Sequence, residues 1–429
     1  MSETIVAVRD VDDDAEEPPP TRSETVTRLI GLVAGTTAVT LLILATGGWP
    51  WLVVVVSILG IIMLHELGHF ATAKWSGMKA TEFFVGFGPR LWSIRRGETE
   101  YGIKAIPAGG YVKILGMTSL EELDPTDEPR SFVNQSTRKR VLVASAGSLV
   151  HLLLALALAF SALLFIGQSH AGPVRVDALS HLKGVVTPAQ LAGLHAGDLI
   201  VSIDGVKTDS ANFTTQIQSS KGQAIALVVR RHGHLLTLHT TPRYLYGAQN
   251  PGLKLGVTAL YLAGPTTHPG FGGSVTGAGS IVWSVTDATF HVFTSAFSPS
   301  GLLSLFHQVT SSAAAKQAQQ SGTQSVSIVG AGRYIADAAQ AGTEPLLGIL
   351  ISLNISLGVL NMLPMLPLDG GHVAIALYER LRTRRGKPRY RADVRKLMPV
   401  VYVFLGFLLL FVAGKMYLDI AHGTANPFG

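Results

Sequence analysis

The chain has 429 residues, of which 47% are hydrophobic and only 14% are charged. A soluble domain carries about a quarter of its residues as charged side chains, so this composition predicts a membrane protein. The chain has no cysteine, which excludes disulfides and cysteine-ligated metal and leaves His, Asp, Glu and Asn as metal ligands. The net charge of +6 clusters beside apolar segments, as in membrane proteins, and we expect no nucleic-acid partner.

Five apolar segments are candidates for membrane spans, since about 20 residues cross a bilayer. They are an additional N-terminal span within 24–50, followed by 51–73, 141–166, 345–371 and 398–418. The acidic, proline-rich residues 1–23 before them predict a disordered cytoplasmic tail. Because the first segment can instead form an interfacial hairpin with GGWPW (47–51), a topology of four spans stays open.

Basic residues give the predicted orientation. Lys and Arg crowd the loop 74–140 and the loop 379–396, and loops of this kind stay in the cytoplasm. Residues 168–344 then lie outside the cytoplasm, and the lipid bilayer is an expected partner.

The segment between the second and third spans predicts a β-hairpin. LWSIRR (91–96) and YGIKAI (101–106) alternate apolar and polar residues around the turn RGET. An exposed hairpin edge can hold an extended substrate as an added strand. The alternative is a surface ribbon that only seals the cytoplasmic mouth of the protein.

The external region begins with a β-rich insert. PAQLAGLHAGDLIVSIDG (188–205) predicts a short helix, a glycine-bounded turn, a strand and a D-G turn. This pattern resembles a PDZ domain, here assigned to 172–260, which implies a peptide or a chain end as its partner. The alternative is a small β-domain without that role. Beyond it, 264–344 predicts an extracytoplasmic amphipathic and flexible segment at the outer membrane interface.

The segment MLHELGHF (63–70) places three ionisable groups inside the second apolar span. His65 and His69 are four residues apart, so they share one helical face and can bind one metal ion. Glu66 points about 100° away from His65, beside the metal, where a carboxylate base suits zinc chemistry. Ionisable groups inside a span are costly and indicate a function. The alternative is a pair of histidines packed against neighbouring helices.

Catalytic zinc normally takes three protein ligands and keeps one open position. Asp369 in NMLPMLPLDGGH (361–372) is the best candidate for the third ligand, because we expect it at the same membrane face as His65. His372 is a competing ligand. A structural role is also open for Asp369, as the N-cap of a helix over 370–380.

HELGH in one span, NMLPMLPLDGG in a later one and the PDZ-like insert between them resemble the site-2 protease family of intramembrane zinc metalloproteases. The segment 83–117 is similar to the membrane-associated β-hairpin region of bacterial members. The resemblance covers most of 51–418. It implies a multi-pass α-helical membrane protein of the bacterial inner membrane, with a membrane-associated β-hairpin or sheet and an inserted extracytoplasmic PDZ-like (α+β) domain.

The resemblance also implies roles for single residues. His65, His69 and Asp369 would bind Zn²⁺, and Glu66 would be the catalytic base. Substrate binding would fall to Asn361 and to four hairpin glycines: Gly86, Gly88, Gly109 and Gly110. The implied reaction is cleavage of the transmembrane helix of a single-span protein, such as an anti-sigma factor, after another protease has trimmed its external part.

Two departures from the family pattern concern substrate positioning rather than zinc. Ser148 and His151 stand where bacterial members have proline and asparagine. Ser356 stands in place of another asparagine, while Asn354 lies two residues earlier. Two other functions stay open at this point. One is a transporter or channel with a metal or proton site and a PDZ-like sensor, and the other is an inactive scaffold.

The lack of cysteine makes the predicted orientation testable with one engineered thiol. Ser210→Cys, in the external insert, should react with a membrane-impermeant maleimide in intact cells, because that residue faces the outside. Thr126→Cys, in the first basic loop, is the matched control and should react only after permeabilisation. The opposite labelling of the two variants would reverse the orientation.

Overall fold

The computed structural model describes residues 22–117, 124–179, 186–244, 253–261, 264–311, 328–384 and 389–421. The predicted disordered tail lies outside the described residues, except that Arg22 and Ser23 begin a helix. The loop expected to be flexible before the fourth span also lies mostly outside them.

The described helices are numbered in chain order. They are α1 (Arg22–Ala45), α2 (Trp49–Trp75), α3 (Thr137–Ser161, continued by a π-helical turn at Ala162–Ile166), α4 (Pro188–Leu191), α5 (Phe213–Ser219), α6 (Gly270–Ala296), α7 (Pro299–Thr310), α8 (Ile328–Ala341), α9 (Thr343–Asn361), α10 (Asp369–Arg382) and α11 (Met398–Ala421). Short 3₁₀ turns lie at Glu128–Arg130, Phe132–Asn134 and Val394–Leu397.

The strands form a hairpin and the sheets of the insert. They are β1 (Ala80–Arg96), β2 (Thr99–Ile114), β3 (Gln168–Ser169), β4 (Val174–Leu179), β5 (Leu199–Ile203), β6 (Val206–Lys207), β7 (Ile225–Arg231), β8 (His234–Thr240), β9 (Arg243–Tyr244), β10 (Leu253–Lys254), β11 (Val257–Tyr261) and β12 (Thr266–Thr267).

Four described helices are long and apolar enough to cross a membrane: Trp49–Trp75, Thr137–Ile166, Thr343–Asn361 and Val394–Leu418. Their apolar side chains are widely exposed, as Val403 and Leu410 on α11 show with 74% and 76% exposure, and such a surface suits lipid. In α1 only Val33–Ala45 has this apolar character. The structure thus shows four candidate spans, and a fifth formed by α1 stays a prediction.

The predicted segment 345–371 is divided at its two prolines. Helix α9 ends at Asn361, and a loop with Pro364 and Pro367 leads to a separate helix, α10. Proline has no backbone N–H and disfavours a helical residue before it, so the helix cannot continue through this segment. The break turns the chain back and brings Asp369 to the beginning of α10.

Three of the apolar helices pack together around the centre of the molecule. Helix α3 contacts both α2 and α9. Helix α6 packs along α3 and α9, with Ala278 buried among their apolar side chains and Thr289 Oγ1 3.4 Å from Ser356 Oγ. Within the segment that we expected to lie at the outer interface, α6 is therefore a long helix beside two candidate spans.

The predicted hairpin is confirmed and is longer than expected. Strands β1 and β2 pair antiparallel from Ala80–Ile114 to Arg96–Thr99, with several bulges. At its turn, Glu98 accepts hydrogen bonds from Arg130 (2.6 and 2.9 Å) and from Lys74 at the end of α2 (2.5 Å). Arg130, the larger cause, and Lys74 lower the pKa of Glu98 to about 2. These ion pairs tie the hairpin to the end of α2.

A buried ion pair joins the helix that begins with Asp369 to α3. Arg140 donates to Glu379, and both side chains are less than a tenth exposed. Glu379 Oε1 also accepts from the Ala392 N–H at 2.9 Å. Because a buried charge is tolerated only with partners, this contact holds α10 and the basic loop in one place on α3.

The insert between α3 and α6 is an α+β unit. Its main sheet has the order β11-β4-β5-β7-β8, with β6 paired to β5. Helices α4 and α5 cover an apolar core that includes Val176, Ile200 and Leu227. Asp198 is buried in this unit and accepts two hydrogen bonds from the Arg231 guanidinium, at 2.6 and 2.7 Å.

The Asp198–Arg231 pair should stabilise the insert above acidic pH. Burial alone raises the pKa of Asp198, but Arg231 and the His195 N–H outweigh it and hold the pKa below its ordinary value. The contribution is therefore present above about pH 3.9 and is lost as the pH falls through the lowered pKa.

Asp198→Asn should reduce the free energy of opening of the insert by about 2 kcal/mol at pH 7, because the two hydrogen bonds from Arg231 lose their charged acceptor. Amide hydrogen exchange in β5 and β7 of the full chain measures this. Asp177→Asn is the matched control, since that side chain is exposed on β4. Equal exchange in the two variants would mean that the pair does not stabilise the insert.

Candidate metal centre

His65 and His69 lie on one face of α2 and point at each other. Both are buried, their ring centroids are 4.8 Å apart, and their Nε2 atoms are 3.2 Å apart. The Nδ1 of His69 bonds to the Val143 carbonyl at 2.7 Å. A carbonyl oxygen only accepts, so Nδ1 carries the proton, and the Nε2 of neutral His69 presents a lone pair.

Asp369 completes the cluster from α10. Its Oδ2 lies 3.3 Å from the His65 Nε2 and 3.2 Å from the His69 Nε2. Among the described residues, these three are the group of side chains that meets the geometry of a metal site. Asp369 is the first residue of α10, whose N-cap is Leu368. The alternative structural role as N-cap is therefore wrong by one residue, and the side chain faces the imidazoles instead.

The donor set fits zinc. A tetrahedral ion with bonds of about 2.0–2.1 Å places its ligands about 3.3–3.4 Å apart, and the three donor atoms here are 3.2–3.3 Å apart. Asp369 Oδ2 is also buried without a hydrogen-bond partner. Buried lone pairs that face one another repel, and a zinc ion between the three atoms would relieve this repulsion.

Glu66 lies beside the cluster and is oriented by the hairpin. Its carboxylate accepts a hydrogen bond from the Val112 N–H of β2 at 3.1 Å. The side chain is half-buried and belongs to the same turn of α2 as His65 and His69. It is therefore held near the donors without being one of them, which is the position of a general base.

Two glycines let the helices approach closely at the cluster. A Cβ on Gly147 of α3 would lie 2.3 Å from the His65 Cε1 and 2.5 Å from the His69 Nε2. A Cβ on Gly68, between the two histidines, would lie 2.8 Å from Val150 and 3.0 Å from the Ala146 carbonyl oxygen. The backbone of α3 thus forms one wall of the site.

The structure gives the predicted substrate-binding glycines a packing role in the hairpin. Gly86, Gly88 and Gly109 have positive φ angles of 88°, 81° and 148°, which glycine adopts without strain. A Cβ on Gly110 would overlap the Met63 sulfur of α2, at 2.6 Å. This contact seats the hairpin on α2 three residues before Glu66. Substrate contact by these glycines stays a prediction.

Two further residues, Asn361 and His372, were predicted for the site. Asn361 ends α9 and is half-buried, and its contact with substrate stays a prediction. His372, the competing ligand, packs edge-on against Phe132, with ring centroids 6.1 Å apart, and is not part of the cluster. Sequence reasoning missed Gly147 and Val143, and the small-residue run ASAG (144–147) was the available signal for close helix packing.

A family model described as peptidase family M50 matches residues 53–408. The chain belongs to peptidase family M50. Zinc metalloprotease Rip1 of Mycobacterium tuberculosis is 33% identical over 397 residues, which are 85% of this chain and 95% of that protein. Zinc metalloprotease Rip1 of Mycolicibacterium smegmatis is 31% identical over 404 residues, 86% of this chain and 96% of that protein.

These matches confirm the resemblance to the site-2 protease family. The protein is a site-2-type zinc metalloprotease with zinc as its cofactor. Together with the four apolar helices, the family places it in a membrane. The transporter or channel that the sequence left open finds no support in these matches.

The close approach of α3 to the histidines can be tested with one methyl group. Gly147→Ala should lower zinc affinity at least about tenfold, because its Cβ must displace both imidazoles. Chelator competition on the purified protein measures this. Gly60→Ala on α2, where a Cβ meets nothing within 4 Å, is the matched control and should bind zinc normally. Equal affinities would contradict the proposed wall.

Proposed function

We propose that this protein is an intramembrane endopeptidase that cleaves the transmembrane helix of a single-span protein. His65, His69 and Asp369 bind the zinc ion, and Glu66 is the general base. One observation carries the proposal. Three donor atoms from two helices converge to 3.2–3.3 Å of one another, and the two histidines belong to a helix apolar enough to span a membrane.

The chain's own residues supply orientation and proton transfer. Zinc, when bound, polarises a carbonyl oxygen and lowers the pKa of water to about 7. Glu66, held by the Val112 N–H, accepts a proton from the attacking water. It then delivers that proton to the leaving nitrogen, so the peptide bond breaks into an acid and an amine.

The substrate helix must unwind before it can react, because its carbonyl groups are engaged in internal hydrogen bonds. The hairpin is suited to hold the unwound segment as an added strand. Three facts support this role: the hairpin is a sheet of two strands, Gly110 seats it on α2, and β2 contacts Glu66 directly. A strand added to this hairpin therefore lies near the base.

We further propose that the insert 172–260 is an extracytoplasmic PDZ-like domain that binds a peptide or a freshly exposed chain end. Strands β8 and β11 are the edges of its sheet in the described residues, and an open edge accepts an extended chain. Leu235 on β8 is 60% exposed, which offers apolar contact to such a chain.

The proposed setting is the bacterial inner membrane, with both basic loops in the cytoplasm. The proposed substrate is an anti-sigma factor, trimmed outside the membrane by another protease and then cut within its span. The cut would release a transcription signal into the cytoplasm. The family resemblance supports this substrate class.

Single substitutions in the cluster should separate chemistry from metal binding. Glu66→Gln should retain zinc but cleave a single-span substrate about 100- to 10,000-fold more slowly, because only the base is lost. Asp369→Ala should lose both zinc and activity, since two histidines hold the metal poorly. Asp369→Asn should bind zinc more weakly than wild type, because an amide oxygen is an uncharged ligand.

Metal content and cleavage in reconstituted vesicles measure these effects. His372→Ala is the control, because its imidazole packs on Phe132 outside the cluster, and it should keep zinc. Full zinc in Asp369→Ala together with loss in His372→Ala would transfer the ligand role to His372. Near wild-type cleavage by Glu66→Gln would show that another group is the base.

A further inference from the structure

His151 of α3 and Asn354 of α9 form a buried polar pair next to His65. His151 is 3% exposed and Asn354 is fully buried. The His151 Nδ1 lies 3.2 Å from the Asn354 Oδ1, and the His151 ring centroid lies 4.9 Å from that of His65, with the planes inclined by 36°. The pair therefore links two candidate spans at the edge of the zinc cluster.

The hydrogen bonds of Asn354 fix the orientation of His151. The Asn354 Nδ2 donates to the Leu350 carbonyl at 2.8 Å, so the amide oxygen is the atom that faces His151. An amide oxygen only accepts, and the His151 Nδ1 must therefore carry the proton that it donates. Asn354 is itself fixed by its own helix and acts as a rigid anchor.

The helices approach closely where this pair forms. A Cβ on Gly358, one turn beyond Asn354, would lie 3.2 Å from the His151 Cβ and 3.2 Å from the Ser148 carbonyl oxygen. The absence of a side chain there brings α9 against α3. Asn354 reaches His151 because of this contact.

The two histidines of the cluster are oriented differently. His69 has the hydrogen bond that usually fixes a metal-binding imidazole, from its Nδ1 to the Val143 carbonyl. The His65 Nδ1 is buried and has no hydrogen-bond partner among the described residues. Its ring instead contacts Gly147 and the ring of His151.

We propose that His151, anchored by Asn354, is a positioning residue that holds the His65 imidazole in its zinc-binding orientation by ring contact. This inference rests on the proposed function, since it takes His65 as a zinc ligand. The contact takes the place of the hydrogen bond that His65 lacks. Partners that orient a metal ligand typically contribute about 10- to 100-fold to metal affinity.

Three variants separate the ring contact from the hydrogen bond. His151→Leu removes both, and Asn354→Leu removes the anchor. His151→Asn keeps a donor for the Asn354 oxygen but removes the ring from His65. Each should weaken zinc affinity about 10- to 100-fold in the full-length purified protein. Each should also alter the visible absorption spectrum of the Co²⁺-substituted protein, which reports ligand geometry.

Ser356→Ala is the matched control. It removes the neighbouring contact between helices, to Thr289, and should leave zinc affinity and the Co²⁺ spectrum unchanged. If the His151–Asn354 pair served only to join the two helices, His151→Asn would preserve that function. Wild-type zinc affinity and an unchanged spectrum in His151→Asn would therefore overturn the positioning role, and this variant retains the hydrogen bond between the helices, so a folded protein is expected.

His65→Ala, measured in parallel, distinguishes an error in the proposed ligand set from an error in the positioning role of His151. If His65→Ala binds zinc normally, the proposed ligand set is wrong. If His65→Ala loses zinc while His151→Asn and Asn354→Leu bind it as wild type does, only the positioning role is wrong.

Discussion

Three buried lone pairs that face one another are the constraint on which the rest of the structure depends. The Nε2 atoms of His65 and His69 and the Oδ2 of Asp369 lie within 3.3 Å of one another. In a helix apolar enough to lie in lipid, such groups are costly without a partner. In the proposed site a zinc ion is that partner, and the surrounding helices hold the donors at fixed distances.

Contacts on several sides of the cluster hold the three donor atoms at these distances. Gly147 and Gly68 bring α3 against the histidines. The Arg140–Glu379 pair fixes α10 on α3, and Asp369 is the first residue of α10. The hairpin reaches the same place through Gly110 and the Val112 N–H, which orients Glu66. Metal binding, base orientation and the proposed substrate strand thus depend on one set of contacts.

Local periodicity in the sequence predicts two parts of the site. His65 and His69 share a face because a helix repeats every 3.6 residues, and the hairpin over 91–106 is predicted by alternation around a polar turn. Asp369 lies about 300 residues from the histidines. Its selection over His372 came from the predicted membrane face and the family motif, since no local pattern places two distant segments together.

Other features depend on packing that a single sequence does not display. The role of Gly147 depends on the space between two helices, and the contact of His151 with His65 depends on the approach of α9 at Gly358. Pro364 and Pro367 indicate the break after α9, but the turn that brings Asp369 back to the histidines depends on packing. Helix α6 was expected at the outer membrane interface because its sequence is amphipathic, and the sequence does not show that this helix packs on α3 and α9.

X-ray absorption at the zinc edge of the purified full-length protein tests the ligand set most directly. We predict a first shell of nitrogen and oxygen only, at about 2.0–2.1 Å, with outer scattering from two imidazoles, and we predict that His65→Ala retains little or no zinc. A shell with three imidazoles, or a spectrum unchanged by His65→Ala, would contradict a site built from His65, His69 and Asp369.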